Sequence, residues 1–398
     1  MGATRNVLPD RAVLGELIRE LDTAAPYDLV DVCEEWLGRW LGARWSTLLL
    51  ADYSQTVLEP VPGRGAGAPS GRRYAVRDGA AGAAYREQRV VRESDGAGAG
   101  HDLMLCVPVT IRTECLGVLV VGLPGQTEDS VADVLVDVAT VLAHVLAGAR
   151  RYTDRFEALR RRKDLGLAAE IQWELLPVLA YELPVFSIAG ALEPTYEIGG
   201  DTFDYAVSAS RLTISITDAV GHGLRAALLG SLAVAAMRNT RRGGGEILAQ
   251  AAAANQHLSE QFPGPSFVTG QLLEIDVFEG SALVINAGHP RPLLLRDGAV
   301  GPVPLVPDLP FGLYSDTVYR TQRLTLRHGD RLLLTTDGIT EAHFAGGSAF
   351  GVDRVAELLT AQAHHSPTEF VRQLTAAVLE FRNGELSDDA TAVCLDWH

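Results

Sequence analysis

The sequence predicts an α+β protein in two parts, and three observations carry that expectation. Acids set among glycines bracket the run Arg211–Thr217, whose alternation of polar and apolar residues has the period of a half-buried strand. After Pro177 the composition shifts to short alternating segments separated by glycine turns. The chain has 398 residues and is 47% hydrophobic, enough for two or three separate cores.

In order, Asp10–Asp22 carries Val13, Leu14, Leu17, Ile18 and Leu21 at helical spacing, and Pro26 ends that helix. Leu29, Val32, Cys33, Trp36, Leu37, Trp40 and Leu41 make a second apolar stripe, which reads as core. Trp45–Asp52 and Val57–Val61 read as strands, Gly63–Gly71 as a loop, Ala80–Glu87 as a short helix and Gln88–Arg92 as a short strand. After a loop at Ser94–Gly100, Met104–Ile111 and Cys115–Gly122 pair around the turn Arg112-Thr113-Glu114. Asp129–Arg150 is a long helix, with Val131, Val134, Val138, Val141 and Val145 forming a heptad-like seam. That seam either joins two copies in parallel or packs on its own domain. The charged run through Arg160-Arg161-Arg162-Lys163 reads as a solvated helix face, after which Leu165, Ala168, Ile171 and Leu175 resume an apolar stripe.

Beyond Pro177, Tyr205-Ala206-Val207 is the expected partner of Arg211–Thr217 across the turn Ser208-Ala209-Ser210. If that turn pivots on Ala209 and Ser210, Asp201 faces Asp218, with Cβ atoms roughly 5 Å apart. A slip of one residue would send one of them to the other face. Two opposed carboxylates repel, and a bound cation reverses the sign of that interaction. Gly223–Met237 is apolar nearly all round, as in a buried helix, and Glu246–Gln261 is amphipathic. Phe267–Ile275, Ala282–Asn286, Leu293–Arg296, Arg331–Thr335 and Thr391–Leu395 read as strands, and Phe350–Gln362 and Thr368–Phe381 as helices.

Two further acidic sites share one placement. Asp337 ends an apolar strand and precedes Gly338, and Asp388-Asp389 stands just before a strand. Taken singly, the first reads as a turn and the second as a solvated loop. Together with Asp201 and Asp218 they would line a sheet margin with oxygen donors only, a set suited to Mg²⁺ or Mn²⁺ and not to zinc.

These residues carry a resemblance. Gly200-Asp201, Asp218 through Gly223, Asn286 through Pro290, Thr336-Asp337-Gly338 and Asp388-Asp389-Ala390-Thr391 occur in the order seen in PPM-type, metal-dependent Ser/Thr phosphatases. The similarity is to the SpoIIE/RsbU branch, whose entry helix is resembled by Glu170-Ile171-Gln172 with Leu175-Leu176-Pro177. From Asp28 to Ala149 the order of elements resembles a GAF domain, a small-ligand sensor.

The resemblance implies an αββα sandwich with two divalent ions, Mn²⁺ or Mg²⁺, on its rim. It implies Asp218 as the bridging ligand and Asp337 as its catalytic partner. Asp201, the Ala219 carbonyl, Asp337 and Asp388 complete the metal set, and Asp389 can exchange with Asp388 in that alignment. Asp204 is assigned either to structure or to support of the metal ligands, and His222 and His289 to turn structure and packing. Thr202 stands where an aromatic is usual, and Ala390 where Met is common. The implied reaction is hydrolysis of phosphoserine or phosphothreonine on an anti-sigma-factor antagonist, under control of the sensor. The implied layout is a helical segment at 1–27, the GAF-like domain at 28–149, a linker helix at 150–177 that joins a homodimer, and the phosphatase domain at 178–398.

Net charge of −16 argues against nucleic acid as the main partner. Cys33, Cys106, Cys115 and Cys394 form no CxxC pair and read as reduced core residues, which suggests a cytoplasmic protein. Met1–Arg11 has no apolar stretch, so no signal peptide is expected, and no window was expected to span a bilayer. Gly199-Gly200-Asp201-Thr202-Phe203 is superficially similar to the GGDEF loop of diguanylate cyclases, but the acid after Asp201 is missing. The rival non-enzymatic reading is a scaffold built on a dead phosphatase fold.

Overall fold

The computed structural model describes residues 11–63, 72–94, 102–125, 127–128, 130–161, 164–193, 199–262, 264–342, 347, 349–382 and 389–398. The chain separates into two compact units, Met1–Arg162 and Lys163–His398.

The first unit runs α1 (Arg11–Thr23), α2 (Leu29–Leu41), β1 (Trp45–Ala51), β2 (Val57–Pro60), β3 (Tyr74–Ala75), α3 (Gly79–Glu87), β4 (Val91–Ser94), β5 (Asp102–Ile111), β6 (Glu114–Pro124), α4 (Val131–Ala149) and α5 (Arg155–Arg160). The strands form one antiparallel sheet in the order β3-β2-β1-β6-β5-β4. A core of Trp36, Leu37, Leu48, Val107, Val121, Leu135 and Leu142 lies between one sheet face and α1, α2 and α4. A smaller one, with Tyr85, Cys106 and Cys115, lies under α3 on the other face. Each fully buried Leu or Val contributes about 1.5–3 kcal/mol, so both faces are held by packing. The β5–β6 hairpin turns on Arg112 and Thr113, and Arg112 takes the left-handed conformation (φ 55°) that so short a turn requires.

Two expectations for this unit change, and the valine seam follows one of its two open readings. The strand expected at Gln88–Arg92 begins only at Val91, because Gln88 is the left-handed cap (φ 47°) that ends α3. The valine seam of α4 is spent on its own sheet: Val131 and Val138 are buried, and Val134, Val141 and Val145 pack half-buried against the same core. By length and composition α4 is also one helix apolar enough to cross a membrane, with mean hydropathy 1.8, contrary to the expectation that no window qualifies. Its buried stripe of Leu135, Val138, Ala139 and Leu142 explains that apolarity as core. The loops expected at Gly63–Gly71 and Ser94–Gly100 fall almost entirely outside the described residues.

The second unit runs α6 (Leu167–Leu175), β7 (Ala180–Leu183), β8 (Phe186–Glu193), β9 (Thr202–Val207), β10 (Arg211–Ala219), α7 (Leu224–Arg242), α8 (Ile247–Gln261), β11 (Val268–Asp276), β12 (Ser281–Ala287), β13 (Leu293–Arg296), β14 (Ala299–Pro302), β15 (Gln322–Thr325), β16 (Arg331–Thr335), α9 (Asp337–Thr340), α10 (Gly351–Ala361), α11 (Pro367–Phe381) and β17 (Ala390–Trp397). The stretch 150–177, expected as one helix, instead holds the two short helices α5 and α6, with non-helical chain on either side of α5.

Two antiparallel sheets, β15-β12-β11-β10-β9 and β14-β13-β16-β17-β8-β7, face each other. Between them lies a core of Phe186, Ile188, Phe203, Ile214, Ile216, Leu273, Leu334 and Val393. Phe203 lies against Gly190, where a Cβ would come within 2.3 Å of its ring. Outside the first sheet, α7 and α8 enclose Leu229, Ala233, Met237, Leu258 and Phe311. Outside the second, α10 and α11 enclose Val355, Leu359, Phe370 and Leu374. The order of layers is helix, sheet, sheet, helix.

Candidate metal centre

Local pairing fixes the first two acids. In the β9–β10 hairpin Leu212 pairs with Val207 and Thr217 with Thr202, so the same register sets Asp218 opposite Asp201. The Ala219 N–H donates to the Gly200 carbonyl at 3.2 Å, one step further out. Ser208 N–H donates to the Arg211 carbonyl at 2.8 Å, so the turn is the one expected. Thr202 is buried with its methyl 3.8 Å from where a Cβ on Gly230 of α7 would lie. The absence of an aromatic therefore leaves no opening there.

The second sheet brings Thr336 and Asp389 to the same margin. Thr336, at the end of β16, donates its hydroxyl to Asp201 Oδ2 at 2.6 Å. Its N–H donates to the Thr391 carbonyl at 3.0 Å, and the Thr391 N–H returns to the Thr336 hydroxyl at 3.1 Å. Asp337 follows directly and opens α9, half-buried. Gly338 passes so close to the next strand that a Cβ would stand 1.8 Å from the Asp389 carbonyl oxygen. Only glycine allows α9 to start there.

Asp389 is buried, and its Oδ2 accepts from the N–H groups of Gly200 (3.0 Å) and Asp201 (3.4 Å) and from Gln172 Nε2 (2.6 Å). It acts as a fastener for the loop that carries Asp201. Asp388, the expected ligand, lies outside the described residues. Among the described residues no group of three or more His, Cys, Asp or Glu side chains is gathered closely enough to hold an ion. One acid of the expected set is outside that description, and Asp389 is engaged by backbone donors.

The electrostatics fit a cation. Burial pushes the Asp201 carboxyl well above the ordinary carboxylate range, and the charges of Asp218 and Asp389 push it further. The Thr336 and Thr391 hydroxyls pull the other way without offsetting this. A buried acid raised by two neighbouring acids, on an oxygen-only rim, is what a divalent ion relieves.

Asp204 and His289 are buried and bonded within the fold, whereas His222 is not. The Asp204 carboxylate is buried and accepts from Arg238 and Arg241 of α7, each at 2.8 Å. His289 is buried: its Nδ1 lies 2.9 Å from the Thr269 hydroxyl, and Asn286 closes the turn by accepting from the His289 N–H at 2.8 Å. Burial holds His289 neutral, with its pKa lowered to about 3. His222 is exposed in the loop before α7. Four residues had no assigned role in the sequence analysis: Gln172, Thr336 and the paired arginines Arg238 and Arg241. Gln172 and Thr336 lie inside quoted motifs, and a hydroxyl or amide beside each acid was the available signal.

A four-layer sandwich with Asp201 held opposite Asp218 on one sheet and bonded to Thr336 and Asp389 from the other is the arrangement expected from the sequence. Residues 208–398 match the family described as stage II sporulation protein E (SpoIIE). The chain is 28% identical over 191 residues to phosphoserine phosphatase RsbP of Bacillus subtilis, covering 46% of each protein. It thus spans about half the length of that relative. It is 22% identical over 289 residues to phosphoserine phosphatase RsbU of the same organism, covering 72% of this chain and 85% of RsbU. A solved structure of the RsbU and RsbW domains of a Mycobacterium tuberculosis protein is 26% identical, with TM-score 0.48, over 54% of this chain and 61% of that one.

Proposed function

We propose that the second unit is a divalent-metal-dependent phosphoprotein phosphatase acting on phosphoserine or phosphothreonine, and that the first unit is a GAF-like sensor that controls it. The observation that carries this reading is the buried Asp201 held opposite Asp218, with Asp389 and Thr336 fixing its place from the second sheet. Asp201, Asp218 and the Ala219 carbonyl would hold one ion, and Asp218, Asp337 and Asp388 the other. When bound, Mn²⁺ or Mg²⁺ supplies charge neutralisation at phosphorus and a water acidified enough to attack it.

The chain's own residues do the positioning. The β9–β10 hairpin sets the spacing of Asp201 and Asp218. Thr336 orients the Asp201 carboxylate, and Gly338 lets Asp337 approach the 389–390 segment. The substrate of this reading is a small phosphorylated anti-sigma-factor antagonist, in line with the phosphoserine phosphatases RsbP and RsbU among the relatives. The proposed layout is 1–27, 28–149, 150–177 and 178–398. The four described cysteines are free and buried, which suits a reducing cytoplasm. Pairing of two copies through the connecting segment and a small ligand for the first unit belong to the same proposal, and light scattering and a thermal-shift ligand screen test them.

The deciding experiment is release of phosphate from a phosphorylated antagonist protein with Mn²⁺, wild type against Asp218→Asn. Metal-dependent turnover that falls at least about 100-fold in the variant is expected, because the shared ligand is lost. Absence of turnover with any divalent ion, with the phosphoprotein still bound, would instead make the domain a scaffold.

A further inference from the structure

One side chain outside the acid set is bonded to both halves of the rim. Gln172 lies on α6, buried with 2% of its surface exposed. Its Nε2 donates to the Asp201 backbone carbonyl at 2.8 Å and to Asp389 Oδ2 at 2.6 Å. Asp389 Oδ2 in turn accepts from the Gly200 and Asp201 N–H groups. The amide thus adds to the bonds by which Asp389 and Thr336 already join the loop 199–201 to the second sheet. Gly199 makes room for it, since a Cβ there would lie 3.0 Å from both Gln172 Oε1 and Ala168 Cβ. The same helix is fixed at its other end, where Arg238 Nη2 donates to the Leu175 carbonyl at 2.6 Å while bonding Asp204.

We infer that Gln172 is a positioning residue for the divalent site: its amide fixes the Asp201 backbone against Asp389 and so presets the distance between Asp201 and the acids of the second sheet. The inference rests on the metal-dependent reading above. A donor is needed at this place. Without it the Asp389 carboxylate loses a bond, the Asp201 carbonyl loses a donor in a buried setting, and the loop 199–201 gains freedom. Gln172 touches neither substrate nor ion, so its removal acts on affinity for the ion and leaves chemistry at saturation nearly intact.

The test uses the full chain and Mn²⁺ alone. Calorimetric titration compares wild type, Gln172→Ala, Gln172→Met and Gly199→Ala. Met keeps the volume of Gln and removes the donor, and Gly199→Ala crowds the amide without touching it chemically. The expected result is Mn²⁺ binding weakened about 10–100-fold in both Gln172 variants, in line with other groups that orient metal ligands. A smaller loss is expected for Gly199→Ala. The Mn²⁺ concentration for half-maximal turnover rises by the same factor, and kcat at saturating Mn²⁺ stays within about threefold of wild type. Melting in EDTA identifies a variant that fails to fold, and the Met variant then decides.

Unchanged Mn²⁺ affinity in Gln172→Met overturns the inference, as does a loss of kcat that saturating Mn²⁺ does not restore. Wild-type chain that binds Mn²⁺ but releases no phosphate would sink the phosphatase reading alone, because the affinity comparison still decides on Gln172. Wild-type chain that binds no Mn²⁺ overturns both.

Discussion

His289 is neutral because it is buried, and this makes it a source of acid sensitivity. Its folded-state pKa of about 3 lies below the ordinary 6.5. The unfolded chain therefore takes up a proton first as pH falls. The stability tied to this group is complete above the unfolded value and is lost as pH falls toward the folded one; at about pH 5 the loss is about 2 kcal/mol. Urea unfolding at neutral pH and at about pH 5 checks this: His289→Asn should fall less steeply than wild type, and equal slopes would refute it. Asp389 shows what sequence can and cannot give at this scale. That an acid stands at 388 or 389 on the margin follows from the motif. Which of the two fastens the loop depends on N–H groups at Gly200 and Asp201, some 190 residues away, and no local pattern encodes them. Gln172 was legible as part of a helix, but its partners were not, for the same reason.

Helix α7 is tied to the first sheet by charge as well as by packing. Arg238 and Arg241 both reach Asp204, whose side chain is only 3% exposed against 20% and 18% for theirs. Asp204→Asn leaves two partly buried cations facing a neutral amide, and a loss of roughly 3 kcal/mol is expected in urea unfolding. A loss below about 1 kcal/mol would mean that water already screens the group. Helix α11 begins with Ser366, whose hydroxyl accepts from the Glu369 N–H, followed by Pro367 at the first helical position. Ser-Pro-x-Glu is a readable start signal, and it places the boundary one residue earlier than apolar spacing did. The β9–β10 hairpin was equally legible, because a two-residue turn leaves one register that keeps Leu212, Ile214 and Ile216 in the core. The connecting stretch was not: charge patterning predicts a continuous helix there and says nothing of the extended Arg161, which ends α5 at Arg160.

Among the described residues each of the two units encloses cores of its own. Scanning calorimetry of the full chain should therefore show two transitions. Mn²⁺ at about 100 times its Kd should raise only the one belonging to the second unit, by about 2.7 kcal/mol of added stability. A single transition that moves as a whole would show the units to be one cooperative body. At this scale the shift of composition at Pro177 lies 14 residues after the division of the units at Arg162 and Lys163, because composition is a property of the local chain and the boundary is set by packing. It could not show that α6, which reads as connector, is bonded into the second part through Gln172 and the Leu175 carbonyl. For anyone excising the C-terminal half for crystals or screening, this is a practical matter of where to cut. A fragment begun at Val178 would discard the helix that pins its own acidic rim, whereas one begun at Asp164 carries that pin along.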